Sequence, residues 1–332
     1  MANFILLTIL LGSLLSFATC SADGQVDTPL QDEAQAVGPY PFIIVKSPRV
    51  GSTSLFHILD TIEHVEIAFE PKPSTYQTWW QSLHCQPSIC ANKHKDTCSP
   101  SDYSCGLSMN NFVKRKTKFE DIVRLLDVQN PIPGQRPRLI IQLRWNVVEK
   151  AISASRVFGD GKRQREKLYK TKCTVGDKKV KKQCAKDQQK TMPVDVKSVA
   201  EHAVSSLETI NATIEAAMWL EQTYNIQPLY VFYEDLARDS HGIQNEIEKF
   251  IGLPISRFPA NADGNQEDSY FHNKDLSKDL VNFKELQEEL LKKHDPNLIS
   301  MLSAGFNKHV NTRVRLDELK QQLKPQLRFG YW

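Results

Sequence analysis

The chain has 332 residues, 40% hydrophobic and 24% charged, and its 42 basic and 39 acidic side chains leave a net charge of +3. This composition excludes wholesale disorder, collagen-like repetition and a multi-spanning membrane protein, and the length is enough to bury a sizeable core without metals or oligomerisation. So small a net charge does not mark a nucleic-acid binder, and no nucleic acid is expected as a partner.

At the N-terminus, residues 4–18 (FILLTILLGSLLSFA) form an apolar run followed by Thr19, Cys20, Ser21 and Ala22. Fifteen residues fall short of the ~20 that cross a bilayer as a helix, so residues 1–22 are expected to be a secretory leader, with a short anchor as the alternative. The expected location is the secretory pathway, either the Golgi lumen or the exterior, with membrane attachment only through such an anchor. Residues 23–40 are polar and acidic without periodicity, the pattern of a flexible stem. Setting Cys20 aside leaves Cys85, Cys90, Cys98, Cys105, Cys173 and Cys184, an even number expected to form disulfides in an oxidising compartment. If Cys173 and Cys184 pair, the other four allow three arrangements. A zinc site using His84 or His94 with the clustered cysteines is the rival, and it lacks a C-x2-C pair. Asn211-Ala212-Thr213 is a glycosylation sequon consistent with that route.

From Pro41 onward the pattern alternates. Residues 42–45 (FIIV) predict a buried strand, 46–52 a turn, and 53–62 a helix through Leu55, Ile58, Leu59 and Ile62. Strands are predicted at 65–69, 139–143 and 228–232, and helices at 147–156, 199–223, 242–251, 276–292 and 316–323. The fold class expected is α/β, a mostly parallel central sheet flanked by helices. Residues 41–332 are expected to form one domain, carrying an irregular Cys-rich insertion at about 84–105 and a basic insertion at about 160–190. In that second insertion, residues 162–190 hold twelve Lys or Arg against three acids, a local +9 on a chain that is otherwise −6. Such density attracts phosphorylated nucleotides, sulfated glycans or anionic membranes; the alternative is a solvated lysine-rich loop.

The chemistry-bearing segment is Lys46-Ser47-Pro48-Arg49-Val50-Gly51-Ser52-Thr53-Ser54, between the first strand and the first helix. Gly51 permits close backbone approach to an anion, the helix N-terminus presents free N–H groups, Ser52, Thr53 and Ser54 add hydroxyls, and Lys46 and Arg49 supply charge. A Walker A signature is absent. The string PRVGSTSL resembles the 5′-phosphosulfate loop of sulfotransferases that use 3′-phosphoadenosine 5′-phosphosulfate (PAPS). LIIQLRWNVVEKAISAS at 139–155 resembles the 3′-phosphate segment of that family, YVFYEDL at 230–236 its later strand end, and 273–290 a late segment of its nodulation-type members. The resemblance spans residues 41–302 and leaves both insertions outside it. It implies a P-loop-NTPase-like fold, with PAPS as co-substrate and no metal. Arg49, Val50, Gly51, Ser52, Thr53 and Ser54 would hold the 5′-phosphosulfate, Arg144 and Ser153 the 3′-phosphate, with Arg49 and Lys46 catalytic at the leaving oxygen.

An acceptor hydroxyl needs a general base. Glu70 in Phe69-Glu70-Pro71 is the candidate, because F-E-P resembles the place of an essential Glu in carbohydrate sulfotransferases; the alternative is a surface Glu. His57 and His64 are lesser candidates. Trp79 and Trp80 suit either a sugar-binding platform or a core. A carbohydrate or other hydroxyl acceptor is expected, with the Lys-rich segment steering an anionic glycan. The competing functions are a secretory phosphotransferase or nucleotide hydrolase, and a non-catalytic glycan-binding protein on the same scaffold.

Overall fold

A computed structural model describes residues 39–69, 104–110, 122–126, 136–255, 276–303 and 305–323. The leader expected at 1–22 and residues 23–38 of the stem expected at 23–40 lie outside these residues, as do Glu70, Trp79, Trp80, Cys85, Cys90 and Cys98.

The core is a five-stranded parallel sheet of β1 (Phe42–Lys46), β2 (Val65–Phe69), β3 (Ser104–Asn110), β4 (Arg138–Leu143) and β5 (Leu229–Phe232), in the order β2-β3-β1-β4-β5. β1 lies at the centre and is buried along its whole length. Period-2 alternation divides its side chains between two cores. Phe42 and Ile44 join Ile140 and Val231 on one face, while Ile43 and Val45 join Leu107, Ile141 and Phe232 on the other.

Helices cover both faces. α1 (Ser52–Thr61) places Leu55, Ile58 and Leu59 in the first core. α2 (Val147–Val157), α3 (Gly159–Thr171), α4 (Lys178–Lys190) and α5 (Val196–Tyr224) follow β4, and α2 and α5 supply Val147, Ala151, Ile152, Ile210 and Ile214 to the second core. After β5 come α6 (Tyr233–Arg238), α7 (Ser240–Phe250), α8 (Leu276–Asp279), α9 (Phe283–Leu291), α10 (Pro296–Ser300), α11 (Phe306–His309) and α12 (Thr312–Leu323). Neighbouring strands β1 and β4 thus send their following helices to opposite faces. At such a switch point the carboxyl ends of the strands open a crevice.

Three expectations change. Cys105, read from sequence as the end of an irregular insertion, sits on β3, a strand flanked by β1 and β2. Polar Ser-Cys-Gly-Leu-Ser-Met-Asn hides this strand from a hydrophobic pattern. Gly106 is required there because a Cβ would fall 2.2 Å from Phe42 Cζ, and buried Ser104 donates its hydroxyl to the Tyr40 carbonyl. Next, the basic insertion is the helical pair α3–α4, closed by a Cys173–Cys184 disulfide. Finally, the helix expected over 276–292 is broken at Asn282, whose amide donates to the Val194 carbonyl (2.8 Å) and whose Oδ1 accepts from the Val194 N–H (3.1 Å). The Asn211 sequon lies mid-helix on α5, where the Thr213 hydroxyl donates to the Thr209 carbonyl. No helix among the described residues is long and apolar enough to cross a membrane.

Candidate functional site

β1 ends in Lys46, level with Gln142 of β4. The turn that follows has two left-handed residues, Arg49 (φ 65°) and Gly51 (φ 76°). A non-glycine in that region costs about 1–2 kcal/mol, so the conformation of Arg49 is imposed by its surroundings. Gly51 is obligatory on two counts: its φ is positive, and a Cβ would stand 2.1 Å from Tyr233 Cδ2. Buried Gln142 fixes the turn by donating its amide to the Val50 carbonyl at 3.2 Å. α1 then begins with no side-chain cap and no acidic residue in its first turn, leaving its first N–H groups and the positive end of its dipole unopposed by any carboxylate of its own first turn.

Facing this turn is α2. The Arg49 guanidinium donates to the Ser153 hydroxyl from Nε at 3.0 Å and from Nη2 at 2.6 Å, across 104 residues of sequence. One helical turn earlier, Lys150 Nζ donates to the Ser47 hydroxyl at 2.9 Å. Ser153 and Lys150 are three residues apart and therefore share a helix face. Both are 8% exposed, and Lys46 is 4% exposed. Two cations and two hydroxyls thus meet where the turn after β1 faces α2, and buried Lys46 closes β1 just before that turn. Ser47 and Lys150 lie inside the two segments singled out from the sequence but were given no role there; for Lys150 the i, i+3 relation to Ser153 was the available signal.

Arg144 stands behind this group. It is 4% exposed, donates from Nη2 to Glu149 Oε2 at 2.7 Å and lies 4.2 Å over the Tyr233 ring. Its Nε is buried and has no hydrogen-bond partner among the described residues. Burial opposes the Arg144 charge, but Tyr233, Glu149 and Glu234 outweigh it and hold its pKa above the ordinary value. Burial raises both carboxyls, against the pull of Arg144 in each case. Glu234 accepts the backbone N–H groups of Trp145 (3.2 Å) and Asn146 (2.9 Å), which fixes the turn between β4 and α2. Asn146 caps α2 by accepting from the Glu149 N–H, and Asn307 of α11 donates to Glu149 at 3.0 Å. Trp145 stacks on Phe232 with centroids 5.2 Å apart.

The geometry therefore brings Arg49 to Ser153 and Ser47 to Lys150, keeps Lys46, Val50, Gly51 and Ser52 on the segment that carries Arg49, and buries Arg144 between Glu149 and the Tyr233 ring. Thr53 and Ser54 are exposed at the start of α1. β2 ends at Phe69 on the same carboxyl edge; the candidate base Glu70 follows, outside the described residues. His57 and His64 are exposed. Cys105 is disulfide-bonded, which removes it from any zinc-thiolate set. Among the described residues no three metal-ligating side chains cluster.

No family model matches the sequence, and no curated protein matches it. Among solved structures, the chain is similar to a sulfotransferase from Alicyclobacillus acidocaldarius, with 15% identity over 84% of this chain and 100% of that one, at a TM-score of 0.37. It is similar to sulfotransferase STF9 from Mycobacterium avium (11% identity, 77% and 76% covered, TM-score 0.35). A third likeness is to mouse sulfotransferase SULT7A1 complexed with PAP (14% identity, 86% and 84% covered, TM-score 0.32).

Proposed function

We propose that the chain transfers a sulfuryl group from PAPS to a hydroxyl of a carbohydrate acceptor, in the lumen of the secretory pathway or outside the cell. The observation that carries this reading is the meeting of Arg49 with Ser153. Two segments resembling the 5′-phosphosulfate loop and the 3′-phosphate segment are 104 residues apart in sequence and share one crevice. A donor anionic at both ends needs such a pair of sites.

The donor set fits that substrate. Gly51 lets the backbone approach closely, the unopposed N-terminus of α1 favours an anion, and Lys46, Arg49 and Lys150 balance the charge of a phosphosulfate. Ser153 is assigned to the 3′-phosphate, with Arg144 supplying the charge that the resemblance implies, its guanidinium held in place by Glu149 and Tyr233. Val50, Ser52, Thr53 and Ser54 complete the 5′ cradle.

In the transfer, the acceptor oxygen forms a bond to sulfur while the bond from sulfur to the bridging oxygen of the 5′-phosphate breaks. The hydroxyl proton passes to Glu70, and the electron pair of the broken bond stays on 3′,5′-ADP. Negative charge grows on the leaving oxygen, where Arg49 and Lys46 stabilise it by position and field rather than by covalent chemistry.

Incubating the protein with sulfur-labelled PAPS and a panel of mono- and polysaccharides, with and without EDTA, tests this reading. Label transferred to a hydroxyl in both conditions is expected. Turnover of ATP that EDTA abolishes would select the phosphotransferase, and glycan binding without transfer would select the non-catalytic scaffold.

A further inference from the structure

The cationic pair α3–α4 lies outside the segments that resemble a known family, and none of the crevice chemistry uses it. It has a core of its own, in which Leu168, Cys173 and Ala185 are buried with Tyr169, Cys184 and Met192 packed against them. Its base is tied to the helix carrying Ser153: the Gln189 amide donates to the Arg156 carbonyl at 2.8 Å and to the Gly161 carbonyl. Almost everything else faces water. Lys178, Lys182 and Lys186 are exposed and spaced four apart, so they form one stripe on α4 with a cation about every 6 Å. Lys167 and Lys170 of α3 are exposed as well.

Like charges four residues apart oppose a helix. The stripe is therefore maintained against local preference, and three devices offset it: the disulfide, the small core and the Asp177 cap, whose carboxylate accepts from the Lys179 and Val180 N–H groups. The acids nearby have partners, Asp160 with Arg163, Glu166 with Lys162, and Asp187 of α4 with the Gln183 amide. What remains is a rigid, regularly spaced row of ammonium groups, the complement of a linear polyanion.

We propose that α3–α4 is a docking arm for a linear anionic polysaccharide bearing sulfate or carboxylate groups, which it holds beside the crevice; the choice of acceptor class rests on the transfer activity proposed above. The Cys173–Cys184 bridge belongs to an oxidising compartment, where nucleic acid and the anionic cytoplasmic leaflet do not reach the arm and acidic glycans do. Two exposed valines at the arm's end, Val175 and Val180, offer too little apolar surface to anchor in a bilayer.

The test uses the full chain and three probes: heparin, neutral dextran, and vesicles of phosphatidylserine with phosphatidylcholine. The Lys178→Glu, Lys182→Glu, Lys186→Glu triple variant is compared with a control of equal charge change on exposed lysines elsewhere, Lys249→Glu, Lys284→Glu, Lys308→Glu. Heparin affinity at about 0.15 M salt is expected to fall about tenfold or more in the first variant and to change far less in the control, with dextran unbound by every form. Equal losses in the two variants, or binding to vesicles in preference to heparin, would overturn the proposal. Calorimetry with adenosine 3′,5′-bisphosphate is run on the same samples. Both variants should bind it like the wild type, and its failure to bind a wild-type chain that still holds heparin would refute the transfer reading alone.

Discussion

Lys46, Arg144 and Lys150 at the carboxyl edge of the sheet are 4, 4 and 8% exposed, whereas Lys178, Lys182 and Lys186 on α4 stand in solvent. The buried set is held by specific partners. Glu149 and Tyr233 fix Arg144, and Ser47 fixes Lys150. The exposed set is organised only by helical spacing. The difference teaches what each charge can do. A buried cation has a fixed position and acts in low dielectric, so it can recognise the shape of one anion. An exposed row is screened within about 8–10 Å and can recognise only sign and spacing. On the functions proposed above, the buried set suits a small anion of defined geometry and the exposed row a polyanion.

The contrast breaks most sharply at Arg144. Arg144→Met leaves Glu149 and Glu234 buried without their cation, and a stability loss of about 3–5 kcal/mol is expected in chemical denaturation. The Arg144→Met, Glu149→Gln double variant should recover part of it, and no recovery would dissolve the pairing. Arg49→Ala removes a cation whose side chain reaches Ser153 from an exposed position. Turnover is expected to fall about 100- to 1,000-fold with the melting temperature little changed; undiminished turnover would take Arg49 out of the reaction.

Lys150→Met sharpens the boundary between the two regions, since Lys150 carries no motif and its importance comes only from burial. Affinity for adenosine 3′,5′-bisphosphate should weaken about tenfold, or about 1.4 kcal/mol, with Lys150→Arg intermediate. An unchanged affinity would make the Lys150 contact with Ser47 purely structural. Burial raises the Glu234 carboxyl above 4.5, so the folded chain retains a proton that the unfolded chain releases as pH climbs past that value. Stability from this group is greatest in acid and declines as pH rises through the folded pKa. The melting temperature of Glu234→Gln should therefore fall less steeply with pH above about 4.5 than that of the wild type, and parallel slopes would refute the assignment. The smallest effect is expected on the arm, where each Lys→Ala change on α4 should alter stability by no more than about 0.5 kcal/mol.

Much of the scaffold was legible in the sequence. The runs at 42–45 and 139–143 mark β1 and β4, because strands covered on both faces are apolar without interruption. The glycine and hydroxyl cluster after β1 marked the turn into α1, since the positive φ of Gly51 is a local requirement. β3 was not legible. Its serines are buried by pairing with neighbours, and Gly106 exists to admit the Phe42 ring, a contact made across 64 residues. Lys150 was equally silent, because a lysine on a helix is ordinarily solvated and only the fold places this one against Ser47.

The sequence by itself determined the α/β alternation, the glycine turn between β1 and α1, and the charge of the basic segment, since each follows from periodicity or residue chemistry within a short window. Tertiary structure alone decided that Arg49 meets Ser153 and that Arg144 is enclosed by Glu149 and Tyr233. These depend on the order β2-β3-β1-β4-β5, which sets β1 beside β4 and turns their helices to opposite faces, so that residues far apart in the chain close on one crevice.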